Sequence, residues 1–336
     1  MGDLILKDLL KKYEQKRLNA NISLEKRKNK LFSENPRLQE IEDDLNLSAI
    51  SIAKCILSTN NENTIQELNK KIKLLKNERS EILQSLHLDI SYLEPIYECP
   101  ICKDTGYVNS GYNTSMCNCL KQQLFNIAYN KSNIGNIEKE NFSTFNINLY
   151  SDEINPTKYN SNISPKHNIQ IIKNIALSFI DNFDSIDEKN LLFTGNTGLG
   201  KTFLTNCIAY EILKKGKTVL YQTSSNMLDT IIDYRFNKNN VTKKIYDSLS
   251  EVDLLIIDDL GTETINNMKL TELFNIINNR LLNQNNRITK TIISTNLSLH
   301  NILQNYDERI FSRIIGHYNA CRFFGDDIRF KSKSSL

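Results

Sequence analysis

Gly195-Asn-Thr-Gly-Leu-Gly-Lys-Thr202 reads G-x-x-x-x-G-K-T, the spacing of a phosphate-binding P-loop. The apolar run before it, Asn190-Leu-Leu-Phe-Thr194, has the length of a short buried strand, and Phe203 to Leu213 has the pattern of an amphipathic helix. Strand, glycine loop and helix in that order separate a working loop from a chance match. Gly195, Gly198 and Gly200 allow a tight turn that presents backbone N–H groups to phosphate oxygens, and the following helix adds its positive end. Asn196, Thr197 and Leu199 fill the remaining loop positions. Lys201 has the reach for β- and γ-phosphates, and the Thr202 hydroxyl suits Mg²⁺. ATP and Mg²⁺ are the ligands this pattern predicts.

Outward from the loop, strands alternate with helices. Strands are predicted at 190–194, 217–222, 252–257, 290–295 and 319–324. Helices are predicted at 166–183, 201–214, 224–236, 241–250, 268–283 and 307–315. This alternation predicts an α/β fold, a parallel sheet flanked by helices, with ligands at the carboxyl ends of the strands. Val252-Asp-Leu-Leu-Ile-Ile-Asp-Asp259 reads as a buried strand ending in two carboxylates. Asp258 is the candidate Mg²⁺ holder, and Asp259 the candidate to orient or deprotonate an attacking water. Thr291-Ile-Ile-Ser-Thr-Asn296 ends a second strand in a polar residue suited to the γ-phosphate or the water. In Glu308-Arg-Ile-Phe-Ser-Arg313, Arg313 reads either as an arginine offered to a neighbour's nucleotide or as a surface arginine paired to Glu308.

Ahead of this region, Cys99-Pro-Ile-Cys102 and Cys117-Asn-Cys119 form C-x2-C-x14-C-x-C. Four thiols at this spacing predict a Zn²⁺ site, with Cys99, Cys102, Cys117 and Cys119 as ligands. Four cysteines leave no open coordination position, so the expected role is structural.

Residues 1–90 read as helices. Ile65, Leu68, Ile72, Leu75, Ile82 and Leu86 follow a 3–4 repeat with Arg79 as the polar seam position; Leu38, Ile41, Leu45, Ser48, Ile52 and Cys55 form a second stripe. Breakers at 33–36 and 58–63 favour a folded-back hairpin or three-helix bundle over a long parallel dimer. Whether it docks a partner or only packs on itself stays open, because an apolar seam does not name what covers it. The resulting division is 1–90 helical, 91–130 zinc module, 131–165 linker and 166–336 nucleotide domain. Within the linker, Asn141-Phe-Ser-Thr-Phe145 reads as core packing of Phe142 and Phe145, or as a segment crossing near the nucleotide base.

Charge is nearly balanced, 42 Lys+Arg against 39 Asp+Glu, so a nucleic-acid contact requires a local patch. The candidate is Asp233-Tyr-Arg-Phe-Asn-Lys238 with Lys243 and Lys244, which mixes aromatic and basic groups; a solvated helix face is the rival reading. No apolar run reaches membrane-spanning length, the amino terminus lacks a signal peptide, and seven cysteines without an export signal fit a cytoplasmic protein.

Taken together, Cys99–Tyr107 with Cys117-Asn-Cys119, Gly195–Thr202, Leu255–Glu263, Ser294–Asn296 and Glu308–Arg313 resemble the bacterial replicative helicase loaders of the DnaC/DnaI type, in the AAA+ ATPase superfamily. The resemblance covers about 95–336. It implies an AAA+ fold with Lys201, Thr202 and Asp258 on ATP–Mg²⁺, Asn296 as sensor 1 and Arg313 as the arginine finger, with Arg309 a neighbouring candidate. Asp259 stands where many such proteins carry glutamate; the shorter side chain implies slow hydrolysis. Arg329 is the candidate for a sensor 2 arginine. The implied activity is a weak ATPase that switches delivery of the replicative DNA helicase onto single-stranded DNA. The implied partners are that helicase, single-stranded DNA and further copies through the ATPase domains. A transposase helper of the IstB type has a similar core and is the alternative.

Overall fold

The computed structural model describes residues 2–57, 62–111, 113–128, 139–237, 240–282 and 287–332. The chain divides into two compact units, Leu6–Cys117 and Asn118–Leu336, the latter with Met1–Ile5.

The first unit is built on α1 (Gly2–Glu34), α2 (Pro36–Leu57) and α3 (Glu62–Ser85). Only Asn35 is non-helical between α1 and α2, and Pro36 opens α2, where its missing N–H goes unneeded. The second expected break, at 58–63, lies outside the described residues for 58–61. Leu38, Ile41, Ser48, Leu75 and Leu83 are buried on the facing stripes, while Leu86 falls past the end of α3 and is exposed. Arg37 and Glu42, early in α2, pair with Glu78 and Arg79, late in α3, while Asp44, further along α2, pairs with Lys71, further back in α3. The two helices therefore form an antiparallel hairpin. Arg79 Nη1 donates to Glu42 Oε1 at 2.6 Å, a mostly buried pair of the kind that sets register more than stability. Leu31, Leu38, Leu83 and Leu93 close the base of the hairpin. β1 (Tyr107–Ser110) and β2 (Asn113–Met116) form a short antiparallel pair beyond it.

The second unit begins with α4 (Asn118–Ala128), followed by α5 (Pro156–Tyr159) and α6 (Pro165–Asp181). Then come β3 (Asn190–Thr194), α7 (Lys201–Lys214), β4 (Val219–Thr223), α8 (Ser224–Asn237), α9 (Asn240–Glu251) and β5 (Leu254–Leu260). The chain continues through α10 (Asn267–Leu282), β6 (Lys290–Thr295), α11 (Leu299–Asn305), α12 (Glu308–His317), β7 (Tyr318–Arg322) and α13 (Ile328–Ser332). The five strands β3 to β7 pair in parallel in the order β4-β5-β6-β3-β7.

Both faces of this sheet are covered, which is why its strands are apolar at consecutive positions. Leu191, Phe193, Leu254, Ile256 and Ile292 pack with α6 and α7 on one face. Leu192, Leu255, Ile257 and Ile293 pack with α8, α10 and α12 on the other. Alternate residues thus serve opposite layers. Truncating one of them, such as Ile256→Ala, costs about 2–5 kcal/mol.

All five expected strands are present within a few residues. One differs in a way that matters. The sequence reading ends a strand at the two carboxylates, but β5 runs through both to Leu260. A register irregularity falls between Ile257 and Leu260, and Asp259 has φ 54. The left-handed residue makes a bulge that re-aims the side chains beside it. The helix α11, capped by the Ser298 hydroxyl on Asn301 N, had no counterpart in the sequence reading. Phe142, Phe145, Ile147 and Leu149, from the expected linker, pack against the α6/α7 core; residues 129–138 lie outside the described residues. Among the described residues, no helix is long and apolar enough to cross a membrane.

Candidate functional site

The P-loop joins β3 to α7 at the carboxyl end of the sheet. Gly195 has φ 134, and a Cβ there would overlap the Phe323 carbonyl. Gly198 has φ 75, with the Asp327 carboxylate where a Cβ would sit. The loop is pinned from outside by its carbonyls. Tyr150 donates its hydroxyl to Leu199 O and Ile328 N donates to Gly198 O, each at 2.9 Å. Peptide planarity then points the N–H groups of Leu199 and Gly200 the opposite way, the orientation a bound phosphate needs. Tyr150 is itself held by Phe145, 6.5 Å away and stacked, which packs at 5.8 Å on Phe203. This is the core-packing reading of Phe145. Asn196 and Thr197 form the exposed crest of the loop, and Leu199 is buried beneath it.

Lys201 is only 6% exposed. Its Nζ donates to Gly195 O at 2.6 Å, to Asn196 O at 2.8 Å and to Asn296 Oδ1 at 2.8 Å. Burial lowers its pKa, opposed by the charges of Asp259 and Asp258. The bulge in β5 serves this point. Burial, then the neighbouring Asp258 charge, raises the Asp259 pKa, and Lys201 opposes the shift. Thr202 Oγ1 lies 3.5 Å from Asp258 Oδ2. Tyr221 donates to the same oxygen. Asp258 Oδ1 accepts from the Ser294 hydroxyl and, at 3.1 Å, from Asp259 N. Lys201, Thr202, Asp258, Asp259 and Asn296 thus converge from three parts of the sequence. The hydroxyl of Thr202 and the Asp258 carboxylate are hard oxygen donors, and the arrangement fits Mg²⁺.

The arginines stand differently. Arg313 is half-buried on α12, and its Nε donates to Asn278 Oδ1 at 3.0 Å, not to Glu308. Arg309 is more exposed, pairs with Asp307 and lies 5.0 Å over the Phe274 ring. Arg329 Nε donates to both oxygens of Asp327, at 2.9 and 3.1 Å. That places Arg329 on the carboxyl-terminal segment whose Ile328 and Asp327 touch the P-loop. In the basic–aromatic patch, Arg235 is bound to Glu272 through two bonds and covers Tyr246, while Phe236 is 70% exposed. Lys238 lies outside the described residues, as do the side chains of Lys243 and Lys244.

Tyr150 and Tyr221 carry no sequence signal, because their hydroxyls act across the fold from a linker position and a strand position. Ser294, inside the run Thr291–Asn296, likewise carries no signal of its role. No local spacing marks these residues, because each acts on a partner at least 36 residues away.

The four cysteines meet. Their Sγ atoms all lie within 4.8 Å of one another, and Cys99 Sγ is 3.9 Å from Cys117 Sγ. Tetrahedral Zn–S bonds require sulfurs about 3.8 Å apart, so the cluster can hold zinc; Cys99 and Cys117 are too far apart for a disulfide of about 2 Å, and none of the four is disulfide-bonded. Local structure aims the thiols. Lys103 and Asp104 take left-handed backbone angles, and the buried Asp104 carboxylate accepts Glu98 N and Cys99 N at 2.9 Å each. Gly106 N donates to Cys102 Sγ at 3.4 Å. One helical turn after Cys119, Gln122 of α4 binds both backbone groups of Val219 on the edge strand β4, at 2.7 and 3.0 Å.

Comparison with known proteins agrees with this geometry. The model of the IstB-like ATP binding protein family matches residues 152–335. The replicative helicase loader DnaC of Escherichia coli (strain K12) is 27% identical over 139 residues, 41% of this chain and 55% of DnaC. The chromosomal replication initiator protein DnaA of Wolinella succinogenes is 35% identical over 124 residues, 37% of this chain and 26% of DnaA. The chain thus spans about half the length, or less, of these curated relatives. The crystal structure of the DnaC helicase loader aligns with a TM-score of 0.41 and 20% identity, over 51% of this chain and 97% of that one. Since the matched region carries the pinned P-loop and its converging carboxylates and covers more than half of the sequence, the chain belongs to the IstB-like ATP-binding family, with a DnaC-like AAA+ domain.

Proposed function

We propose that this protein is an ATP-controlled loader that delivers the replicative DNA helicase onto single-stranded DNA during replication initiation or restart. The observation that carries this reading is the 27% identity to the DnaC loader over 139 residues, in a chain whose P-loop, β5 carboxylates and Asn296 converge. Lys201 contacts the β- and γ-phosphates, and Thr202 with Asp258 holds Mg²⁺. Held there by Thr202 and Asp258, the ion would supply positive charge that offsets the phosphates. Charged phosphate oxygens out-compete the neutral acceptors that now hold Lys201 Nζ. Asn296, released from Lys201, is then free to meet the γ-phosphate or the attacking water. Asp259 orients or deprotonates that water, and its raised pKa suits a base. Arg313 reaches a neighbouring copy's nucleotide once its bond to Asn278 opens. The cysteine cluster holds a structural zinc whose binding supports the fold around it. The helical hairpin docks the helicase, and the Phe236 region contacts single-stranded DNA by stacking. Hydrolysis is weak and acts as a release signal in the cytosol.

A second reading, a transposase helper, is favoured by the description of the matching family as IstB-like. The test is the native mass of this protein mixed with the replicative helicase of the same genome, with and without ATP–Mg²⁺. A defined complex that requires residues 1–128 supports the loader. No complex under either condition overturns it in favour of the helper.

A further inference from the structure

Tyr221 has no part in the roles just given, yet its hydroxyl donates to Asp258, the carboxylate on which the Mg²⁺ reading depends. The ring is 1% exposed, on β4 two residues before the pairing partner of Asp258. Side chains two apart share a sheet face, so the ring extends along the face that carries the carboxylate. On the opposite side, Ser294 of β6 donates to the other oxygen, and Asp259 N lies 3.4 Å from the Ser294 hydroxyl. Two flanking strands thus hold the two oxygens of one carboxylate. The oxygen Tyr221 holds, Oδ2, is the one 3.5 Å from Thr202 Oγ1.

Packing does not explain the tyrosine. A phenylalanine fills the same apolar space without burying a hydroxyl that needs a partner. A carboxylate that must face a metal from a strand end, in contrast, needs its rotamer fixed, because groups behind metal ligands set ligand orientation and affinity. Mg²⁺ keeps much of its water shell and demands near-ideal geometry, so a carboxylate free to rotate holds it poorly. We propose that Tyr221, with Ser294, is a positioning residue for Mg²⁺: the two hydroxyls lock Asp258 so that Oδ2 faces Thr202. The tyrosine keeps its proton and donates it in the hydrogen bond to Asp258, and the lone pairs of its oxygen would accept a hydrogen bond from a metal-bound water. This rests on the reading of Thr202 and Asp258 as the Mg²⁺–ATP site.

The test uses the full-length protein and a fluorescent ATP analogue, titrated in EDTA and then across a Mg²⁺ series. Tyr221→Phe should bind nucleotide in EDTA within about twofold of the native protein, and its Mg²⁺ midpoint should rise about tenfold. An unchanged midpoint in a variant that melts cooperatively overturns the positioning role and leaves the nucleotide site standing. If Tyr221→Phe fails to fold, Ser294→Ala decides, with the same rise expected and an unchanged midpoint overturning the proposal. A native protein that binds nucleotide without any response to Mg²⁺ overturns both the positioning role and the Mg²⁺ reading beneath it.

Discussion

Lys201 Nζ donates to Asn296 Oδ1 at 2.8 Å, linking the first residue of α7 to the residue just past β6. The two side chains have separable tasks. Lys201→Ala removes the buried cation that meets phosphate and should weaken ATP binding about 100-fold. Asn296→Ala leaves the loop and the cation in place. It should keep ATP affinity within about threefold while turnover falls about 100-fold, the usual cost of one lost transition-state donor. Nucleotide titration and phosphate release measure the two effects. Equal losses of affinity in both variants would refute the division of labour.

Pinning of the P-loop from outside gives a second expectation. Tyr150→Phe loses the bond to Leu199 O, worth about 1 kcal/mol, and should weaken nucleotide binding about fivefold with little change in melting. Gly195→Ala forces a side chain into a left-handed turn against the Phe323 carbonyl and should abolish nucleotide binding. Normal binding by Gly195→Ala would contradict the loop geometry.

The cysteine cluster predicts about one zinc per chain by elemental analysis, lost in Cys102→Ser. Asp104→Ala should weaken zinc retention about tenfold against a chelator, because Asp104 fixes the backbone at Cys99. Purified protein with four reactive thiols at this cluster and no metal would rule the site out.

Gln122 supplies donor and acceptor to one residue of the edge strand. Gln122→Ala should cost about 1–3 kcal/mol and speed hydrogen exchange at the Val219 amide. Unaltered exchange there would mean that α4 leaves the edge of the sheet open.

Asp253 accepts Thr218 N and Oγ1 at 2.7 Å each and Arg287 Nη2 at 2.7 Å. Burial pushes its pKa up, but these donors win and the net shift is downward. Its stabilisation is therefore fully present above the unfolded value of about 3.9 and is lost as pH falls through the lower folded value. Asp253→Asn should destabilise by about 2 kcal/mol near neutrality. The gap to the native protein should narrow as pH falls from about 5 to about 3. Denaturant melts at both pH values measure it, and a gap that widens in acid would exclude this assignment.

Local chemistry determined much of this protein. The spacing of Gly195, Gly198, Gly200 and Lys201, the apolar runs ending at Asp258 and Asn296, and the C-x2-C and C-x-C pairs are short-range patterns. Each follows from the residues a phosphate turn, a doubly covered strand or a tetrahedral metal requires. The α2/α3 seam was equally legible, because a helix repeats its face every three to four residues and buries what it repeats. Tertiary structure alone decided the rest. The left-handed turn at Asp259 depends on how β5 pairs with β6, not on its own residue type. Tyr221 and Ser294 reach Asp258 only because β4 and β6 flank β5, a strand order that no local pattern encodes. Arg313 reads in sequence as an arginine for a neighbour's nucleotide or as a partner of Glu308, and is held instead by Asn278 because α12 packs on α10. A side chain's partners are set by which strands and helices become neighbours, and that choice is made by burying the whole sheet, over distances no motif spans.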